Sequence, residues 1–360
     1  MDAPSDSTAA TALDFRSDNT AGAHPAILDA LVRAYRAGPL TSYGDDPLTE
    51  RVVQRLRQLF EHDTLVAFPV ATGTAANALA LSCLTPPWGV VHCHPAAHIQ
   101  VDEAGAPELF TGGAKLVPVD GPAGKIEPQV LAAALAQDVK GVVHHPQPAA
   151  ISITQSTECG ATYTPDEVKA ISEIAWANGL ALHMDGARLA NAVVHLGCSP
   201  AAVTWRAGVD VLSFGATKNG ALGAEAVVFF DPAKAAEFEF RRKRGGHLFS
   251  KMRLLSAQLD AYLDHDLWLA NARHANDMAA RLEQGLSRLN SVRLLYKREA
   301  NELFVVLPDA VADRLRDAGA LFYPWPSDRP GENAYRLVTS FETQAEQVAR
   351  FVAIAAGDAG

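Results

Sequence analysis

The residues Val209 to Gly220 read as a short apolar strand, Val209–Phe214, that empties into a small-residue loop carrying one lysine, Lys218. In an open α/β sheet, ligands sit at the loops beyond strand C-termini. A lysine among Gly215, Ala216, Thr217 and Gly220 suits covalent chemistry better than solubility. Upstream, the strand Leu180–Met184 runs into Asp185, Gly186, Ala187 and Arg188 and supplies a carboxylate. An amine to form a Schiff base with an aldehyde and an acid to hold a ring nitrogen protonated are what pyridoxal phosphate requires. Either residue alone is weak evidence. In this order, on consecutive strands, the two point together to that cofactor.

A third group would hold the cofactor's phosphate. Gly73 and Thr74 open a helix after a strand, where free N–H groups and the helix dipole favour an anion; a plain tight turn with a capping threonine is the structural alternative. Gly186 would let backbone approach a flat ring closely. His98 sits in a loop beyond the strand Val90–Cys93, placed to stack on such a ring. His144, at the close of the expected strand Val142–His144, could serve as a general base, because imidazole titrates near neutral pH. Arg336 lies on an otherwise apolar strand, and a substrate carboxylate would satisfy its guanidinium bidentately. His92, Cys93, His94 and His98 superficially suggest a metal site. No second Cys/His pair at zinc spacing completes a tetrahedron, so no metal is expected.

These groups need a scaffold of alternating strands and helices. Strands are expected at Val90–Cys93, Lys115–Val119, Val142–His144, Ile151–Thr154, Leu180–Met184 and Val209–Phe214. Helices are expected at 24–37, Pro128–Ala136, Pro165–Asn178 and Ala187–Leu196. The alternation predicts an α/β fold with a mainly parallel sheet between helices. Ala226–Phe230 follows Lys218 too soon for a crossover helix and should pair antiparallel. A helical stretch over 232–290 precedes a change of pattern. Strands at Leu303–Leu307, Ala320–Tyr323 and Tyr335–Ser340, with helices Ala310–Ala318 and Thr343–Ala356, describe a small α+β unit. The expected organisation is an extended N-terminal arm over 1–21, a large cofactor-binding domain over 22–263 and a small domain over 264–360.

Composition narrows the class. The 360 residues are 48% hydrophobic and 20% charged, as in ordinary globular proteins, with a net charge of −10. That charge argues against a general nucleic-acid binder, so the run Arg241–Arg244 reads as a solvated helix face or a subunit contact. Cys83, Cys93, Cys159 and Cys198 lack disulfide-like spacing. No apolar run approaches the roughly 18 residues of a membrane span. The first residues, 1–12, lack a secretory pattern and read as a flexible tail. A cytoplasmic location and no membrane partner are the expectation.

Together the motifs resemble the threonine aldolase family of fold-type-I pyridoxal-phosphate enzymes. The resemblance spans nearly the whole chain, from Arg16–Asn19 to Arg336–Thr339. Its most specific pieces are His183–Arg188, Ser213–Lys218, Ala71–Asn77 and Ala97–Ile99. It is nearest to the bacterial low-specificity and phenylserine-cleaving branch, on the wording of Cys93–Pro95 and Arg241–Leu248. The resemblance implies that Lys218 carries the Schiff base, Asp185 faces the pyridinium nitrogen, and Gly73 and Thr74 hold the phosphate. It also makes His98 the stacking histidine and His144 a second active-site histidine, while Ser17, Arg188 and Arg336 bind the substrate carboxylate. Arg253 matches a phosphate-contacting arginine, although the segment Gly245–Arg253 is longer and less glycine-rich than the family's. The implied reaction is retro-aldol cleavage of an L-β-hydroxy-α-amino acid to glycine and an aldehyde by a homo-oligomer, dimer or tetramer, with His98 or His144, directly or through a water, as the base. A β-eliminating lyase or an aminotransferase on the same fold is the nearest rival. A nucleotide-binding module would need a Gly-x-Gly-x-x-Gly turn, and none lies near Gly73.

Overall fold

The computed structural model describes residues 12–357, so all but the last residue of the expected tail lies outside the described residues. The strands are β1 (Leu13–Asp14), β2 (Val66–Val70), β3 (Gly89–Cys93), β4 (Lys115–Pro118), β5 (Gln147–Thr154), β6 (Ala181–Gly186) and β7 (Val211–Gly215). They continue with β8 (Glu225–Phe229), β9 (Arg293–Leu294), β10 (Glu302–Val306), β11 (Ala320–Leu321), β12 (Tyr323–Trp325) and β13 (Ala334–Val338). Seven form one sheet in the order β2-β8-β7-β6-β5-β3-β4. From β7 to β4 the pairing is parallel, and β8 runs antiparallel to both β7 and β2. The expected antiparallel return after Lys218 is therefore β8. Every residue of β3, β6, β7 and β8 is buried, as strands covered by helices on both faces must be.

Local signals set the covering helices. Pro165–Asn178 begins with a capping box between Thr164 and Glu167 and stops at Gly179, whose φ of +70° few other residues tolerate. One strand expectation fails. Residues 142–144 are an exposed turn, and β5 starts only at Gln147. Gln147 explains the turn: its carboxamide accepts the Gly141 N–H at 2.7 Å and donates to the His145 carbonyl at 2.9 Å, closing the loop on itself. Val143 is 93% exposed, so the apolar pair that suggested a strand buries nothing.

Two main apolar cores result, beside two smaller clusters around Phe229 and Val91. The first lies around the seven-stranded sheet, and the second gathers Leu303, Val305, Leu307, Leu315, Leu337 and Phe351. The helix Leu267–Leu286 feeds both, giving Trp268 and Ala272 to the first and Met278, Leu282 and Leu286 to the second. The expected division at 264 falls just before this shared helix. From residue 13 the N-terminal arm is docked on the second core. Leu13 and Phe15 are buried in the second core, β1 pairs with β11, and Phe15 packs edge-on against Phe351 at 4.9 Å. The expected strand 320–323 breaks into β11 and β12 because Phe322 between them turns inward against Tyr335.

Candidate active site

The parallel strands all end at one edge of the sheet, and most of the expected groups meet there. Lys218 lies in the single turn Thr217–Asn219 directly after β7. Asp185 is the penultimate residue of β6 and pairs in register with Ser213 of β7. Its two oxygens accept from the Ala187 N–H at 3.0 Å and from Asn77 Nδ2 at 2.8 Å. The helix Gly73–Leu84 points its N-terminus at the same edge. Thr72, not Thr74, caps it by accepting the Ala75 N–H, which leaves the N–H groups of Gly73 and Thr74 as donors without intrahelical acceptors. A Cβ on Gly73 would meet nothing within 4 Å, so no neighbour crowds the helix start on that side. Gly186 differs: a Cβ there would lie 2.7 Å from Leu212 Cδ1 and 2.8 Å from the Ser213 carbonyl. The close approach of β6 and β7 is by itself enough to require a glycine there.

His98 opens the short helix His98–Val101 beyond β3. Two buried acids hold it. Glu158 accepts its backbone N–H at 2.7 Å, and Glu103 bonds its Nδ1 at 2.8 Å. The Glu103 bond raises the pH at which the imidazole loses its proton, outweighing burial. Burial, with Asp185 nearby, pushes the Glu158 carboxyl up to about 7. A third acid, Glu225, opens β8, accepts the Ala216 N–H at 2.8 Å and is likewise raised by burial to about 7.

The expected carboxylate-binding groups lie where the second core meets this edge. Arg188 grips Asp18 through Nε at 2.7 Å and Nη2 at 2.9 Å, with Glu302 3.4 Å away. Burial alone would raise Asp18, yet Arg188 and Lys218 hold it below the usual carboxylate range. Arg188 thus has Nη1 left for a ligand, whereas Arg336 is freer. Its Nη2 donates to the Arg16 carbonyl at 3.3 Å, its Nε is buried without a partner, and its guanidinium lies 5.7 Å from the Trp325 ring. Ser17 caps the turn Asp18–Thr20 and accepts the Asn19 N–H at 3.1 Å.

Two expected members are elsewhere. His144 is exposed on the turn before β5, at the opposite end of that strand from the site, because the strand it was expected to close begins after it. Arg253 donates to the Gly38 carbonyl at 2.6 Å and stacks 4.4 Å from the Tyr35 ring. His92 faces Asp138 at 3.4 Å and His94 the Gly121 carbonyl at 3.1 Å. Among the described residues, no three His, Cys, Asp or Glu side chains gather to hold a metal ion, and all four cysteines are free. Within the basic run, Arg242 is buried over the Phe68 ring rather than solvated. The sequence reading missed Asn77, Glu103, Glu158, Glu225 and Glu302 as site residues. Glu225 and Glu302 had a visible signal, each being an acid at the head of an apolar strand. Glu103 and Glu158 sit in loops with no periodicity to mark them.

An amine, a buried acceptor at the next strand end, open N–H donors at a helix start and a flat imidazole together fit pyridoxal phosphate, the cofactor this family uses. The family model for beta-eliminating lyases matches residues 14–310. A low-specificity L-threonine aldolase from a Pseudomonas species is 41% identical over 341 residues, 94% of this chain and 96% of that protein. Its counterpart from Pseudomonas aeruginosa is 43% identical over 336 residues, 93% and 94% of the two chains. The solved threonine aldolase of Leishmania major superposes with a TM-score of 0.90 at 29% identity, covering 96% of this chain and 98% of that one. Matched over nearly its whole length in both sequence and architecture, the chain belongs to the beta-eliminating lyase family and, within it, to the threonine aldolases.

Proposed function

We propose that this protein cleaves L-β-hydroxy-α-amino acids, L-threonine, L-allo-threonine and L-phenylserine among them, to glycine and an aldehyde. The observation that carries the reading is the near-full-length likeness to two low-specificity L-threonine aldolases, in a chain whose Lys218, Asp185 and His98 share one sheet edge. Bound pyridoxal phosphate supplies an electron sink for the pair left when the Cα–Cβ bond breaks. Lys218 provides the amine that anchors it, Asp185 the acceptor for its ring nitrogen, and the N–H groups of Gly73 and Thr74 the phosphate contacts. Arg336, with Nη1 of Arg188 and Ser17, holds the substrate carboxylate and so fixes which Cα bond is presented for cleavage.

His98 is the base. Its Nδ1 is committed to Glu103, and Nε2 has no protein partner among the described residues. Nε2 takes the β-hydroxyl proton, the Cα–Cβ bond breaks, the departing fragment becomes an aldehyde, and Cα regains a proton to give glycine. His144, exposed at the other end of β5, takes no part.

The active form is a homo-oligomer, a dimer or tetramer, and the enzyme works in the cytoplasm. Leu28, Val32, Tyr35, Leu40 and Tyr43 form an exposed apolar series along the helix Pro25–Arg36 and the loop after it. Arg253 stacks on Tyr35 beside that series, and its proposed role is a phosphate contact across the interface. No helix among the described residues is long and apolar enough to cross a membrane. Product analysis tests the reaction. L-Threonine should give glycine and acetaldehyde in equal amounts, whereas ammonia with an oxo acid would assign β-elimination instead. Sedimentation showing an active monomer would overturn the oligomer.

A further inference from the structure

His98 joins a continuous chain of hydrogen bonds that ends on Asp185. Asn77 Nδ2 lies 2.8 Å from Asp185 Oδ2 and 2.8 Å from Glu103 Oε1, and Glu103 Oε1 lies 2.8 Å from His98 Nδ1. We propose that Glu103 is a positioning residue that holds His98 in its Nδ1–H form and, through Asn77, locks it to Asp185, reserving Nε2 for the substrate proton. This rests on His98 being the base of the proposed cleavage.

Donor and acceptor counting carries the argument. A carboxamide nitrogen has two hydrogens, and Asn77 spends one on each carboxylate. Burial pushes the Glu103 carboxyl up, but the hydrogen bonds from Asn77 and His98 favour its carboxylate form; as a carboxylate its Oε1 only accepts, so the hydrogen between it and His98 belongs to Nδ1. Asn77, Glu103 and Asp185 are 2%, 5% and 5% exposed, and both Asn77 Oδ1 and Glu103 Oε2 are buried without partners. Reversing the Asn77 amide would point its oxygen at two acids. The charged groups about the imidazole are Glu103 from its own segment, Asp185 from β6 and Lys218 from the loop after β7, with Glu158 on the backbone N–H. Of these, the Glu103 bond is the strongest influence, and it favours the protonated ring; Lys218 opposes it. Asp185 and His98 are thus set by one buried unit. A residue in that unit controls the pH at which the base becomes available without touching substrate.

The test compares wild-type and Glu103→Gln holoenzymes in pH profiles of kcat/KM for L-threonine. Glutamine keeps an oxygen for the imidazole N–H and removes the charge. The acidic limb should move to lower pH by about one unit, a shift that a merely structural role would not cause; an unmoved limb overturns the proposal. A second measurement reads the network intact in the wild-type protein. In 15N spectra of histidine-labelled wild-type holoenzyme, with His98→Phe identifying the signals, Nδ1 should stay protonated while Nε2 titrates. A bare Nδ1 beside a protonated Nε2 overturns the assignment even if cleavage is normal. Failure of the wild type to form glycine would sink the cleavage reading, and the spectra would still decide the role of Glu103.

Discussion

The two ends of the seven-stranded sheet were made from the same kinds of residue and put to different use. At the C-terminal edge, His98, Asp185, Lys218, Glu103, Glu158 and Glu225 are tied by short hydrogen bonds or held at a partly buried turn. At the opposite edge, His144 and His145 lie exposed on a turn whose bonds are made by Gln147. A histidine gripped by a buried glutamate, as His98 is, has a fixed orientation and a displaced titration. The difference teaches that the neighbours, rather than the residue type, fix a histidine's orientation and protonation.

The largest expected effect follows at the anchor. Lys218→Ala should lower turnover on the order of 10³-fold or more, above ~4 kcal/mol of barrier, with the sheet intact by circular dichroism. Retained activity would break the comparison at its strongest point. Next come the two histidines. His98→Phe should cost roughly 10²–10⁴-fold in kcat, and His144→Phe should stay within about twofold of wild type by steady-state kinetics, as surface changes do. A loss at His144 would mean that the far end contributes after all.

Two effects on stability sharpen the contrast. Asp18 and Arg188 form a buried pair, and Asp18→Ala removes the arginine's hydrogen-bonded counter-charge, leaving it Glu302 at 3.4 Å and the more remote Glu158. Loss of one partner should cost about 3 kcal/mol in urea unfolding. Asp18 is depressed in the folded protein, so its contribution is present above its ordinary value of 3.8 and fades as pH falls through the folded value. The gap between variant and wild type should therefore narrow in acid. Glu225 behaves oppositely. Raised from 4.5 to about 7, it makes the folded state bind a proton that the unfolded chain has released. Wild-type stability should fall as pH rises between those values and level off above 7. Glu225→Gln should raise the Tm at pH 8 and leave it unchanged at pH 5.

The sequence carried the catalytic edge further than it carried the far edge, for a physical reason. Lys218, Asp185, Gly73 and His98 follow apolar strands or open helices, and their order along the chain suffices to bring them to one side of a parallel sheet. The antiparallel β8 was legible from a loop too short for a crossover. His144 was misplaced because Val142 and Val143 imitate a strand, while the Gln147 carboxamide that folds them into a turn has no signature in periodicity. Glu103 and Asn77 were unreadable as partners, since their meeting depends on how the helix Gly73–Leu84 packs over β6. Arg188 looked free because its partner, Asp18, comes from an arm that reads as extended and in fact docks on the second core.

The central claim is that one lysine at the C-terminal edge carries the cofactor. Borohydride treatment of the holoenzyme, followed by proteolysis and mass mapping, tests it directly. The account predicts a pyridoxyl group on the peptide containing Lys218 and nowhere else. Stoichiometric labelling of any other lysine, with Lys218 unmodified, would contradict it.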